Sequence, residues 1–179
     1  TANRTSGAPA VVYESALSNG SDPNSSSNLK TATGTLTVGD PDGLSNITSI
    51  VMSSDKAGVT PLSLTISNND FQTKLVNQTL ILANGTITFT AYDSTTGVLT
   101  YQYTLTSPTT DIGIDNDSGN PAEVNIFKTV ISDGSKSAEV ETYISIVDDV
   151  PSVSAGTVTL TGLSLVTQDA QTIGATTSD

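Results

Sequence analysis

Apolar and polar residues alternate with period two along most of the chain, the spacing expected of half-buried β-strands. From Thr31 to Val38 the order Thr-Ala-Thr-Gly-Thr-Leu-Thr-Val places Ala32, Gly34, Leu36 and Val38 on one face. Thr86 to Tyr92 repeats the pattern with Ile87, Phe89 and Ala91 inward and three threonines outward. Val98 to Thr106 does so with Leu99, Tyr101, Tyr103 and Leu105. Ala138, Val140, Thr142, Ile144 and Ile146 form a further face, opposed by Glu139 and Glu141. Val158, Leu160, Leu163 and Leu165 suggest a late strand interrupted near Gly162. Turn residues fall between these runs. Asn84-Gly85 and Asp133-Gly134 suit type I′ hairpins, whose central residues need positive φ, and Asp93–Gly97 reads as a five-residue loop. An antiparallel meander of Leu80–Ala83, Thr86–Tyr92 and Val98–Thr106 follows, with a long hairpin of Val124–Ser132 and Ser135–Val147. Only Asn69–Asn77 departs, where Asp70 is placed to cap one short helical turn. The fold class is all-β, an antiparallel β-sandwich.

Composition agrees. Thr and Ser number 54 of 179 residues, while the chain holds one Met and four Glu, too few good helix formers for long helices. Asn19–Asn28 is a polar, turn-rich surface loop, and Asp148-Asp149-Val150-Pro151 ends a strand and fixes an extended exit. A domain boundary is expected there, with residues 1–150 as one sandwich and 151–179 as a linker and the first strands of a following repeat, or an added strand. The echoes Gly34-Thr-Leu-Thr-Val, Gly85-Thr-Ile-Thr-Phe and Gly156-Thr-Val-Thr-Leu read as strand patterning.

Charge and residue usage remove several functions. No Cys and no His are present, so Ser-His-Asp triads, cysteine nucleophiles, disulfides and the usual zinc and copper sites are excluded. The net charge of -12 repels phosphate backbones, so nucleic acid is not an expected partner. No apolar run is long enough for a membrane helix, and no leader is visible from Thr1. The chain reads as a soluble, monomeric piece of a larger protein.

The acids are skewed: 14 of 18 are Asp, the short carboxylate of turns and calcium shells. Three groups stand out. Asp40-Pro41-Asp42-Gly43 follows a strand; Asp111, Asp115, Asn116, Asp117 and Asn120 crowd one loop; Asp148 and Asp149 sit at the boundary. Calcium takes six to eight hard oxygen ligands, and such loops supply carboxylates, amides and carbonyls. Solvated turns are the plainer reading of the same residues. The Asp115 loop is no EF-hand, since Gly119 falls one place early and the twelfth position is Ile126. Asp117-Ser118-Gly119 matches the aspartic-protease triplet but lacks the apolar run before it and a second copy. Paired carboxylates without Trp give no sugar platform for a glycosidase. No enzyme is expected. Seven Asn-x-Ser/Thr sequons follow from a Ser/Thr-rich composition. The Thr86, Thr88, Thr90 ladder resembles ice-binding arrays, but one strand of three reads as a solvated sheet face.

Several motifs occur together in order. Val12-Tyr13-Glu14-Ser15-Ala16-Leu17 with Asn19-Gly20-Ser21, then Gly34-Thr-Leu-Thr-Val with Asp40-Pro-Asp-Gly-Leu, resemble the opening of a repeat. Ala91-Tyr-Asp, Thr96-Gly97-Val-Leu-Thr-Tyr-Gln-Tyr-Thr-Leu-Thr, Val130-Ile-Ser-Asp-Gly-Ser and Ile146-Val-Asp-Asp-Val-Pro-Ser complete it, over about residues 10–152. They are similar to the Ig-like or cadherin-like repeats of giant RTX adhesins that Gram-negative bacteria export by type I secretion. The resemblance implies tandem sandwiches that project a ligand-binding tip from the cell surface, stiffened by calcium near module junctions. Asp148 and Asp149 match that role, as does Glu14 near the opposite pole. Ser135 replaces an Asp of the family's fuller Asp-Gly-Asp-Gly. The partners implied are neighbouring repeats of the same chain, and surface glycans or proteins through the parent adhesin. A second reading has Asn19–Asn28 and Asp111–Asn120 gripping a glycan or host protein directly.

Overall fold

The computed structural model describes residues 3–4, 10–110 and 123–149. Their elements are strands β1 (Asn3–Arg4), β2 (Ala10–Tyr13), β3 (Thr31–Thr37), β4 (Ser49–Ser54) and β5 (Leu62–Thr65). One helical turn α1 (Phe71–Lys74) follows, then β6 (Thr79–Ile81), β7 (Gly85–Asp93), β8 (Val98–Leu105), β9 (Glu123–Ser132) and β10 (Ser137–Val147). They build two sheets, one in the order β1-β10-β9-β4-β5 with β2 also on β10, the other β3-β8-β7-β6. The connectivity is that of an Ig-like sandwich. The loop at Asp111–Asn120 and the late strand near Val158 lie outside the described residues, as does the segment beyond the expected boundary.

Between the sheets lies one core. Leu36 and Val38 from the β3 side, Leu99, Tyr101, Tyr103 and Leu105 from β8, and Ile144 and Ile146 from β10 are all buried, as their alternation predicts. Tyr101 meets Phe127 of the facing sheet edge-on, with ring centroids 5.4 Å apart. Two hydroxyls of the same core, Thr129 and Thr142, are buried without a hydrogen-bond partner. Phe71 and Leu75 plug one side, and Phe71 packs on Tyr92 at 4.9 Å.

Several details differ from the sequence expectations. Ala91 is exposed and Tyr92 is buried instead, because the β7–β8 register slips between Phe89 and Ala91. A bulge at Thr90 spends one residue on the outer face and reverses the alternation beyond it. Ala138 is also exposed, since β10 starts beyond the core's edge. Asn84-Gly85 is not the centre of a type I′ turn: Leu82 N–H bonds to Gly85 O, so Ala83 and Asn84 form the loop, and neither Asn84 nor Gly85 has positive φ. Gly85 is needed for space, because a Cβ there would run into the Thr104 carbonyl and the Tyr103 ring. Gly134 does take a positive φ of 94°, within a four-residue loop closed by Asp133 N–H to Lys136 O. Asp70 occupies the N-cap of α1, but its side chain accepts from Ser67 N–H and makes no capping bond. Finally, the sandwich is not wholly antiparallel. β2 runs parallel to β10, with Ala10 opposite Ile144 and Tyr13 opposite Val147.

The outer faces of the two sheets carry different chemistry. On the larger sheet Lys128 pairs with Glu139 at 2.5 Å, and Glu141 stands opposite Lys128. On the smaller sheet the register aligns threonines across strands. Thr31, Thr104 and Thr86 share one row, which Ile81 ends; Thr33, Gln102, Thr88 and Thr79 share the next, and Thr35 stands opposite Thr100. Thr86 and Thr88 of the ladder are thus part of a four-strand array, while Thr90 stands in the bulge.

Candidate functional site

The parallel pairing of β2 with β10 decides what gathers at one pole of the sandwich. Since Tyr13 stands opposite Val147, the next residues, Glu14 and Asp148, leave the sheet side by side. Glu14 opens a short 3-10 turn (Glu14–Ala16) and is only 5% exposed. Its Oε1 accepts two hydrogen bonds from Thr109, from the backbone N–H at 2.6 Å and from the hydroxyl at 2.7 Å. Asp148 lies close enough for its carboxyl to act on that of Glu14. Burial pushes the Glu14 carboxyl above its ordinary value of 4.5; Asp148 adds to the rise and the Thr109 bonds oppose it. Among the described residues, the ion pair present is the one on the outer sheet face, so no Lys or Arg bridge neutralises this pair.

Asp149, the next residue, has a different task. Its Oδ2 accepts Ser21 N–H at 2.7 Å and its Oδ1 accepts the Ser21 hydroxyl. The exposed Asn19–Asn28 loop is thereby tied to the exit of β10. Asp148 in turn accepts Asp149 N–H at 2.8 Å, which fixes the two carboxyls relative to each other.

Asp40 and Asp42 lie elsewhere. Asp40 lines the approach to the β9–β10 hairpin, at the other end of β10 from Glu14 and Asp148, roughly 30 Å away at 3.3 Å per residue, and Asp42 belongs to the same turn. Asp40 Oδ1 accepts Asp42 N–H at 2.8 Å, and Asn46 donates to the Asp42 carbonyl at 2.7 Å. Gly43, at φ 109°, completes the turn. An open groove of about 160 Å³ lies beside it, lined by Pro41, Ile47, Ile131, Asp133 and Lys136 among others. Thus the structure brings Glu14, Asp148 and Asp149 to one pole and sets Asp40 and Asp42 apart. Asp111, Asp115, Asn116 and Asp117 are outside the described residues, though Asp111 follows Thr109 by two positions. Among the described residues no three acidic side chains gather to hold a metal ion.

Other polar residues organise the same pole without a signal in the sequence. Asp55 accepts Ala83 N–H at 3.0 Å and Ile126 N–H at 2.8 Å, joining three segments. Buried Asn125 accepts the Tyr103 hydroxyl at 2.6 Å and Asn84 N–H at 3.1 Å, and donates to the Asn84 side chain at 3.0 Å. Thr109 was hidden among the many threonines of the chain. Asn125 could have been noticed as a carboxamide at an inward position of β9.

As chemistry, the Glu14–Asp148 pair is a buried carboxylate beside a second carboxylate, with hard oxygens only. It can share a proton or contribute two ligands to a divalent cation. The chain matches no protein-family model and no curated protein sequence at a significant level.

Proposed function

We propose that this chain is a calcium-stabilised structural extender of a bacterial cell-surface adhesin, one sandwich in a tandem array that projects distal ligand-binding domains for adhesion and biofilm formation. The observation that supports the ion is the meeting of Glu14 with Asp148 where β10 leaves the sandwich. A buried carboxylate beside a half-buried one, with no bridging base among the described residues, is costly, and a divalent cation removes that cost. Glu14 and Asp148 would hold the ion, with the remaining oxygens of its shell drawn from backbone carbonyls, water or further acids. Thr109 holds one oxygen of Glu14 and leaves the other for the ion. Because Glu14 follows β2 and Asp148 follows β10, an ion there ties these two strands together and stiffens the exit toward a neighbouring module.

The thermodynamics are those of linkage: the ion binds the folded state and not the unfolded chain. At roughly ten times the 10⁻⁴–10⁻³ M dissociation constants of extracellular modules, each ion adds about 1.4 kcal/mol. That corresponds to a rise in Tm of roughly 3–6 °C for a domain of this size. Thermal melts in calcium, in magnesium and in excess EDTA test the proposal. A calcium-specific rise that Glu14→Gln and Asp148→Asn remove supports it; equal melts in all three solutions overturn it.

A second reading is capture of a glycan or host protein by the Asn19–Asn28 loop, which is exposed and held in shape by the Asp149–Ser21 bonds. Hits on a glycan array that vanish on mutating this loop would favour it.

A further inference from the structure

We propose that the outer face of the β3-β8-β7-β6 sheet is a homotypic contact through which two copies of this chain pair face to face. The inference is independent of the calcium reading. It rests on what the register assembles: rows of threonine across four strands, with Gln102 at the centre and no Lys, Arg or Glu among them. Among the described residues Asp93 stands at one end of the face, opposite Val98, where its carboxylate is occupied by Thr95 and Thr96 of its own turn. In a chain of net charge -12 this is a large neutral window. On the outer face of the other sheet Glu139 and Glu141 outnumber Lys128, so two copies approaching there bring net negative charge together, whereas here they do not.

Three properties point to a second copy. A hydroxyl is both donor and acceptor, so a threonine array is its own hydrogen-bond complement. Threonine is stiff at χ1, so ordering it at an interface loses little rotamer freedom. Twist is the third. Adjacent strands rotate by roughly 20–25°, so the rows fan out and do not form the flat lattice that a crystalline partner such as ice would require. A second sheet of the same twist does fit, stacked about 10 Å away with strands within about 30°. Four strands about 4.8 Å apart and rows about 6.7 Å apart give a patch of roughly 300–400 Å² per copy. Two such patches bury less than a stable dimer does, so a single pair is transient and the contact gains strength where many copies lie side by side.

The test uses the full chain in a concentration series, read by amide NMR and sedimentation equilibrium. Amide signals of Thr33, Thr88 and Gln102 should move with protein concentration, and a dimer should appear at the highest concentrations. Raising the salt from about 0.01 to 0.15 M should strengthen pairing, because the Debye length falls from about 30 to 8 Å. Gln102→Lys should weaken pairing at least tenfold although it lowers the net charge. Thr33→Glu should do the same, and Glu141→Gln should leave pairing intact. Circular dichroism confirms that each variant is folded. A chain that stays monomeric at every concentration and salt overturns the proposal. So do concentration-dependent shifts on the Glu139–Glu141 face, or Thr-face shifts seen only when a neutral oligosaccharide is added.

Discussion

Burial holds the Glu14 carboxyl above its ordinary value of 4.5, so the folded protein binds a proton there more tightly than the unfolded chain does. Its contribution to stability is therefore complete below about 4.5 and is lost as pH rises through the higher folded value. Asp93 and Asp133 behave oppositely. Thr96 and Thr95 hold the Asp93 carboxyl below its ordinary 3.8, and Lys136 and Ser135 do the same for Asp133. Their contributions are present above 3.8 and disappear as pH falls through the lower folded values. In EDTA the Tm should climb as pH drops from neutral toward 4.5, then fall under more acid conditions. Glu14→Gln should raise the neutral-pH Tm in EDTA and flatten the climb, while Asp133→Asn should leave the climb and soften the acid fall. A pH series of melts on the three proteins checks both signs.

Among the elements, β7 shows how one residue sets a face. Deleting Thr90 removes the bulge and keeps Phe89 and Tyr92 inward, so the shortened strand should fold with a modest loss. Deleting Thr88 instead sends Phe89, now fully buried, to the outer face. Denaturant titration should place the Thr88 deletion about 3–5 kcal/mol below the Thr90 deletion, the cost of a lost core aromatic. Close packing makes a second prediction. A Cβ at Gly34 would meet the Tyr101 ring, which is wedged against Phe127. Gly34→Ala should therefore cost about 1–3 kcal/mol in the same assay, despite its better strand propensity. Alternation, the hairpins and the short helix were legible because they depend on neighbours within a few residues. The bulge was not, since Thr-Ala-Tyr accepts either register and the choice falls to the pocket beside Phe71.

At the scale of the whole molecule, β2 pairs with β10, the last strand among the described residues, and Val12 is fully buried in the common core. Removing residues 1–13 strips the edge of β10 and should abolish the cooperative melt. A chain ending at Asp149 retains the core residues named above and should melt as one unit, with a Tm within a few degrees of the full chain. If that shortened chain fails to fold, the expected boundary near residue 150 is misplaced. The candidate site belongs to this scale too. Glu14, Thr109 and Asp148 lie far apart in sequence, and nothing in their local surroundings marks them as neighbours.

The sequence by itself determined the fold class, most strand positions and the acidic, disulfide-free chemistry, because period-two patterning and residue type act locally. Tertiary structure decided which acids meet. The parallel β2–β10 register, set by burying Val12, Ile144 and Ile146 together, puts Glu14 beside Asp148, while the exit of β3 carries Asp40 and Asp42 to the other pole. It likewise turned isolated threonine ladders into one neutral face, because lateral neighbours in a sheet are chosen by strand order and register, which local alternation does not specify.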